Sequence, residues 1–292
     1  MAVYKQTYKG YEGPLTAQRS RFLIVSRYAL KEVFATKLVS QFFALTFLIP
    51  LVGAVIIYLN HNLDAMRALQ LPLRQLIPIN GQFFLTIVQI QTTAAFLICA
   101  MIGPGLISPD LTNNAMPLYL SRPFTRRDYI LGKFSVLAFV LSAMSWVPSL
   151  LLFLFQSNLE GWSWFTDNIR IGIAIVAGLC IWVAVISFLS LALSAWVRWR
   201  PVATGLLFGI FFAAAAFGEA VNQIMNFNDG PTSWGSLLNL GFLIQSALNW
   251  LFFGYVPGDR VPAWGAFGAL LAVCGVSLYM LSRKIQAYEV VR

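Results

Sequence analysis

Few residues in this chain combine a reactive type with a spacing that could serve chemistry. Gln82, Thr86, Gln89 and Thr93 recur at i, i+4, i+7 and i+11, which puts four polar groups on one face of a helix. Gln91 and Thr92 broaden that face. The surrounding run is apolar, and amides and hydroxyls in hydrocarbon need partners, so the face must meet protein or water rather than lipid. Two readings stand side by side, a substrate-facing surface and a helix–helix seam. Glu219 is the acid with apolar neighbours. An intramembrane carboxylate points to function by default, while the alternative places it at the outer interface where an apolar run ends. The single histidine, His61, has no metal-ligand spacing around it, and Cys99, Cys180 and Cys274 all fall inside apolar runs, where they act as small hydrophobes. The chain has no GxxxxGK[ST], HExxH or GxSxG segment, so it offers no phosphate cradle of its own, no zinc site and no nucleophile elbow.

The other concentration of polar residues runs from Gly103 to Lys133, a basic interruption between two apolar segments. Gly103-Pro104-Gly105 should break or kink the arriving helix. Asp110 follows, where a carboxylate favours the positive end of a short helix. Asn114 suits a turn with positive φ. After Ser121-Arg122-Pro123, Thr125 can cap a helix through Arg126–Lys133, with Asp128 three residues on completing a capping box.

These groups must be carried by membrane helices. Of the 292 residues 59% are hydrophobic, 15% aromatic and only 11% charged, against about 25% charged in soluble domains. Apolar runs predict six spans: Val39–Leu59, Phe83–Ile107, Phe134–Phe155, Ile169–Trp196, Val202–Phe217 (with a possible continuation towards Asn226) and Pro262–Leu281. Thr16–Lys37 reads as a basic amphipathic helix, with Phe22, Val25, Ala29 and Val33 on one face and Arg21, Arg27 and Lys31 opposite; it either lies on the membrane surface or extends the first span. Residues 1–15 read as a basic tail without the apolar core of a signal peptide. Leu237–Phe253 is apolar but striped by Asn239, Gln245, Ser246 and Asn249. Charge decides its topology. With six spans and both termini cytoplasmic, 16 of the 20 Lys and Arg residues lie inside, leaving Arg67, Arg74, Arg170 and Arg260 outside. A seventh span at 237–253 would place Arg283 and Lys284 outside, so this segment is expected to be re-entrant or interfacial. The net charge of +9 is then topology rather than a nucleic-acid footprint.

The order Gly105-Leu106-Ile107, Asp110, Ser121-Arg122-Pro123, Arg126, Tyr129, Gly132-Lys133 resembles the first cytoplasmic loop of type 2 ATP-binding-cassette (ABC) transporter permeases. Asn114 stands where that family usually has glycine. The resemblance implies an all-α polytopic fold, with a tail and connecting helix over residues 1–37 and a six-helix permease domain over 38–292, whose coupling loop covers 105–133. It further implies a partner ATPase subunit that holds ATP and Mg, no cofactor on this chain, a second permease copy or paralogue, and a prokaryotic inner membrane. Asp110, Asn114, Arg122, Pro123, Arg126, Arg127 and Tyr129 would couple to the ATPase through a coupling helix around Asp110–Tyr119. Gln82, Thr86, Gln89, Thr93 and Glu219 are the candidates for a substrate pathway. Alternatives from other classes are a secondary carrier, which would call for an inverted repeat with broken helices, and a non-transporting anchoring or assembly subunit of a larger membrane complex.

Overall fold

A computed structural model describes residues 20, 22–62, 77–115, 119, 125–225, 233–255 and 261–285. The described residues form helices and turns without strands. In chain order the helices are α1 (Phe22–Ala35), α2 (Lys37–Thr46), α3 (Leu48–His61), α4 (Gly81–Ile102), α5 (Ser108–Thr112), α6 (Arg126–Met144), α7 (Trp146–Glu160), α8 (Trp162–Trp196), α9 (Arg200–Ile224), α10 (Leu240–Phe253) and α11 (Ala263–Lys284). Short 3-10 turns cover Gly103–Gly105 and Trp234–Leu238.

Six helical segments are long and apolar enough to cross a membrane: Lys37–His61, Gly81–Thr112, Arg126–Glu160, Trp162–Trp196, Arg200–Ile224 and Ala263–Lys284. Two of them bend at identifiable places. Pro50 cannot donate to the Thr46 carbonyl, and α2 gives way to α3 at Phe47. Pro148 likewise cannot donate to the Met144 carbonyl, and α6 yields to α7 at Ser145, whose hydroxyl turns back to Leu141 O at 2.6 Å.

Helix α8 is the axis of the bundle. Its 35 residues extend about 52 Å at 1.5 Å per residue, and α4, α6, α7, α10 and α11 all pack on it. Ile175, Leu179, Ile186 and Leu191 are fully buried there, with Phe188 stacked on Phe134 at 4.5 Å. The first, fifth and sixth spans are only 22%, 17% and 28% buried, against 56–61% for the other three. Their apolar outer faces are therefore left for lipid or further protein.

The bounds of the third and fourth spans differ from expectation. Helix α6 starts at Arg126, at the Thr125–Asp128 cap read from the sequence, and runs without a break into the apolar run, so the capped segment extends the third span by about two turns before Phe134 instead of forming a separate surface helix. Trp162 and Trp164, expected in a loop reaching Asn168, lie inside α8. Gly161 at φ +98° reverses the chain in a single residue, a conformation that side chains resist, so α8 begins at once. The fifth span continues to Ile224.

Helix α10 has 14 residues, about 21 Å, too short for a hydrocarbon core of ~30 Å. Its preceding turn meets the far end of α9, where Gly218 and Gly235 approach so closely that a Cβ on either would strike the other's carbonyl oxygen. Asn222 Nδ2 donates to Ser236 Oγ at 3.0 Å beside them. The chain then reverses at Asn239, whose side chain caps α10 by accepting from Phe242 N at 3.0 Å. Gly254, left-handed at φ +82°, ends the helix against Arg170. The Arg170 guanidinium donates to Leu251 O and Trp250 O, both at 3.0 Å, and places a cation where the helix dipole is negative. Both ends of this segment thus lie at the same end of the bundle, the end away from Trp196. A half-helix entering and leaving from one side is tolerated at membrane depth because its backbone groups are met by protein.

Candidate functional site

At the Trp196 end, the loop after α4 is built by local rules. Gly103–Gly105 forms one 3-10 turn, and after Leu106 and Ile107 α5 begins at Ser108, with Pro109 in its first turn and Asp110 beside it. Asn114 is the one non-glycine residue with positive φ among the described residues, at +52°, and Ala115 N closes the turn on Asp110 O at 2.8 Å. Across the loop, Thr125 Oγ1 accepts from Asp128 N at 3.2 Å while Thr125 N donates to Asp128 Oδ2 at 3.0 Å.

Tertiary contacts then fix α5 to α6. Asp110 Oδ2 accepts from Tyr129 OH at 2.7 Å and pairs with Lys133 Nζ at 2.8 Å. Lys133 and Asp110 side chains are only 8% and 19% exposed, so this is an enclosed ion pair, and Tyr129 beside it is fully buried. Tyr119 lays its ring 5.5 Å from that of Tyr129. Its phenol pKa is raised above the ordinary tyrosine range, first by desolvation and then by the carboxylates of Asp110 and Glu32. Helix α1 reaches the same place. Ser26 Oγ donates to Gly132 O at 3.0 Å and lies 2.6 Å from Ser135 Oγ, while a Cβ on Gly132 would sit 3.0 Å from Phe22 O. Ser26 and Ala29 are the buried residues of α1, and Leu23, Ile24 and Tyr28 are exposed. So α1 packs one edge on α6 and leaves Leu23, Ile24 and Tyr28 on its open side.

The Gly-Pro-Gly bend rests on serines of α8. Ser194 Oγ donates to Pro104 O at 2.7 Å and accepts from Ile107 N at 3.0 Å and Ser108 N at 3.1 Å. One hydroxyl therefore satisfies three backbone groups freed by the bend. Ser108 Oγ in turn donates to Arg198 O. A Cβ on Gly103 would overlap Ser190 Oγ and lie 3.1 Å from Ser190 Cβ, so the bend packs on α8 at glycine distance. Thr204 Oγ1 on α9 donates to Ala100 O at 3.1 Å, tying the fifth span to the same bend.

The expected polar face of the second span is open in the single chain: Gln82, Thr86 and Thr93 are exposed and Gln89 half-buried. The threonines turn their hydroxyls back to their own helix, Thr86 to Gln82 O at 2.9 Å and Thr93 to Gln89 O at 2.8 Å, so the two glutamine amides carry the polarity outward. The face divides between two grooves. Gln82 and Thr86 line one of about 590 Å³ against the first span, at Leu48, Val52 and Ile56. Gln89 and Thr93 line another of about 380 Å³ against Trp182, Phe211 and Gln245, the last belonging to the α10 stripe. Glu219 joins neither. It is exposed on the distal turns of α9. Arg126 and Arg127 are exposed at the start of α6, whereas Arg122 and Pro123 lie outside the described residues.

A model of the family described as ABC-2 family transporter protein matches residues 29–281. The chain belongs to that family. No curated protein matches it. The match runs from α1 nearly to the end of α11, so it takes in the bend, the six spans and the short α10 alike. As the membrane domain of a type 2 ABC permease, the chain carries two features that sequence patterns did not single out. Lys133 closes the ion pair with Asp110, although a Lys at the membrane edge reads as a topology signal. Ser187, Ser190 and Ser194 recur at i, i+3 and i+7 on one face of α8, and all three are fully buried. Of the three, Ser194 is the one that bonds the bend, and the spacing within an otherwise apolar helix was the available signal for it.

Proposed function

We propose that this permease moves a substrate across the membrane with energy from a separate ATPase subunit that docks on the end carrying α5, Arg126, Arg127 and α1. The observation that carries this reading is the joint attachment of α5 and α1 to α6 through Asp110–Lys133 and Ser26–Gly132. A force on the loop cannot be absorbed locally there, because the loop, α1 and the third span are linked within two residues of each other. Asn114, Tyr129 and the turn they support hold the loop's shape, and Arg122, Arg126 and Arg127 supply cations for acids on the ATPase, with Pro123 part of the same coupling set. ATP and Mg belong to that partner. The basic end is cytoplasmic under the positive-inside rule, in the inner membrane of a prokaryote. The thinly covered first and fifth spans and the open Gln82–Thr93 face suit pairing with a second permease copy or paralogue, with Gln89 and Gln82 next to the path between them. Coupling requires the docked contacts to differ between the two arrangements of the pair.

The experiment is purification of the tagged chain from its native membranes in mild detergent, with partner identification and ATPase measurement. A P-loop ATPase should copurify and hydrolyse ATP. Combined Arg126→Glu and Arg127→Glu, both at exposed positions, should release it while the permease keeps its melting temperature. An intact permease whose complexes contain no ATPase would refute the reading.

A further inference from the structure

The end of the bundle away from Lys133 holds a polar cavity that neither the loop nor the two grooves uses. It forms where the C-termini of α3 and α7, the start of α8 and the residues before α4 converge, and it encloses about 300 Å³. Asn60, His61, Pro78, Gln156, Glu160 and Trp164 line it. Gln156 is 2% exposed. Its Nε2 faces Glu160 Oε1 at 3.5 Å, the long limit of a hydrogen bond, and its Oε1 is buried without a hydrogen-bond partner. Such an atom in a folded chain asks for an explanation, since an unmet buried acceptor is costly. Glu160 Oε1 lies 3.8 Å from His61 Nε2, and its side chain is 44% exposed. Asn60 Nδ2 is engaged with Ile77 O at 3.1 Å. Trp164, packed on Phe153 at 5.5 Å, supplies an aromatic wall.

We propose that this cavity binds a small organic ammonium ion. The orphan Gln156 oxygen and the Glu160 carboxylate both call for donors. A primary ammonium brings three donors, a positive charge and no acceptor that would oppose them. An anion would face Glu160 and an unmet acceptor. The indole of Trp164 adds the surface on which cations rest favourably. A divalent metal fits less well, because structural and catalytic sites use three or four protein ligands, and among the described residues no three His, Cys, Asp or Glu side chains cluster. The volume is at the lower end for small-molecule sites, so the alkyl part is short. This assignment concerns binding alone and stands whether or not an ATPase drives the permease.

The test uses the full chain in lipid nanodiscs and n-propylammonium as the probe, read by saturation-transfer difference NMR. A ligand of so few atoms should bind with a Kd of about 1 mM. Glu160→Gln, at a half-exposed position that tolerates the change, should weaken binding about tenfold or more with an unchanged melting temperature, and n-propanol should not compete. Gln156→Leu, which removes the orphan acceptor, should also weaken binding. The proposal is overturned by absent saturation transfer, by wild-type affinity in Glu160→Gln, or by a site that takes Zn²⁺ but no ammonium.

Discussion

Asp110 and Lys133 lend themselves to a double-mutant cycle, because the structure states what each single change leaves behind. The pair is 2.8 Å apart, which at an effective dielectric near 20 corresponds to about 6 kcal/mol of gross attraction. Desolvating the two charges consumes most of that, so the pair as a whole adds little to stability. Removing one partner is a different matter. Asp110→Asn keeps an acceptor for Tyr129 OH but strands the Lys133 ammonium, and Lys133→Met strands the carboxylate. Each should cost about 3–5 kcal/mol if the survivor stays enclosed, somewhat less for Asp110 loss because a lysine stem can carry its charge towards water. At about 2–4 °C per kcal/mol, each single variant melts roughly 6–20 °C lower. The double variant Asp110→Asn with Lys133→Met leaves no charge to strand and should regain most of the loss. The assay is thermal unfolding in detergent, followed by size-exclusion chromatography. A double variant at or below the sum of the singles would show that the two residues act independently, and the clamp between α5 and α6 would have to be abandoned. A second readout then separates stability from coupling: in the proposed complex the double variant should keep partner binding yet lose transport-dependent stimulation of ATP hydrolysis.

Gly103→Ala should destabilise the chain by about 1–3 kcal/mol through overpacking, and Ser190→Ala in the same chain should recover part of it, since it removes the hydroxyl that the new methyl would overlap; an unchanged melting curve for Gly103→Ala would mean the bend is looser than described. Gln89→Leu should leave membrane insertion intact, because leucine partitions into hydrocarbon better than glutamine, while weakening transport or permease pairing; wild-type pairing and turnover would mark this face as idle. Cysteine-accessibility labelling at Asn113 should report the cytoplasm and at Asn62 the outside, and the reverse pattern would invert the proposed topology.

What the sequence made legible was whatever is decided within one or two helical turns. Asn114 could be assigned a left-handed turn because few side chains accept that backbone cheaply, and Thr125 with Asp128 could be assigned a cap because both partners lie within one turn. The 237–253 segment was readable for another reason: its polar stripe conflicted with a span, and Arg283 and Lys284 at the end of α11 argued against a seventh crossing. The clamp at Asp110 was not legible. Lys133 lies many residues away in sequence, and its membrane-edge position already had a sufficient explanation in topology, so nothing local asked for a partner. Ser194 illustrates the same limit more sharply. A serine in an apolar helix normally turns its hydroxyl back to its own backbone, as Thr86 and Thr93 do; only the arrival of a broken helix, with its freed groups at Pro104, Ile107 and Ser108, gives the hydroxyl different work. Periodicity can therefore find a polar face but not its neighbour. For Ser194 the neighbour is the bend of α4. Gln82 and Gln89 instead open onto the two grooves, and their amides set the condition that any assembled form of this permease must satisfy: a protein or water surface against the second span.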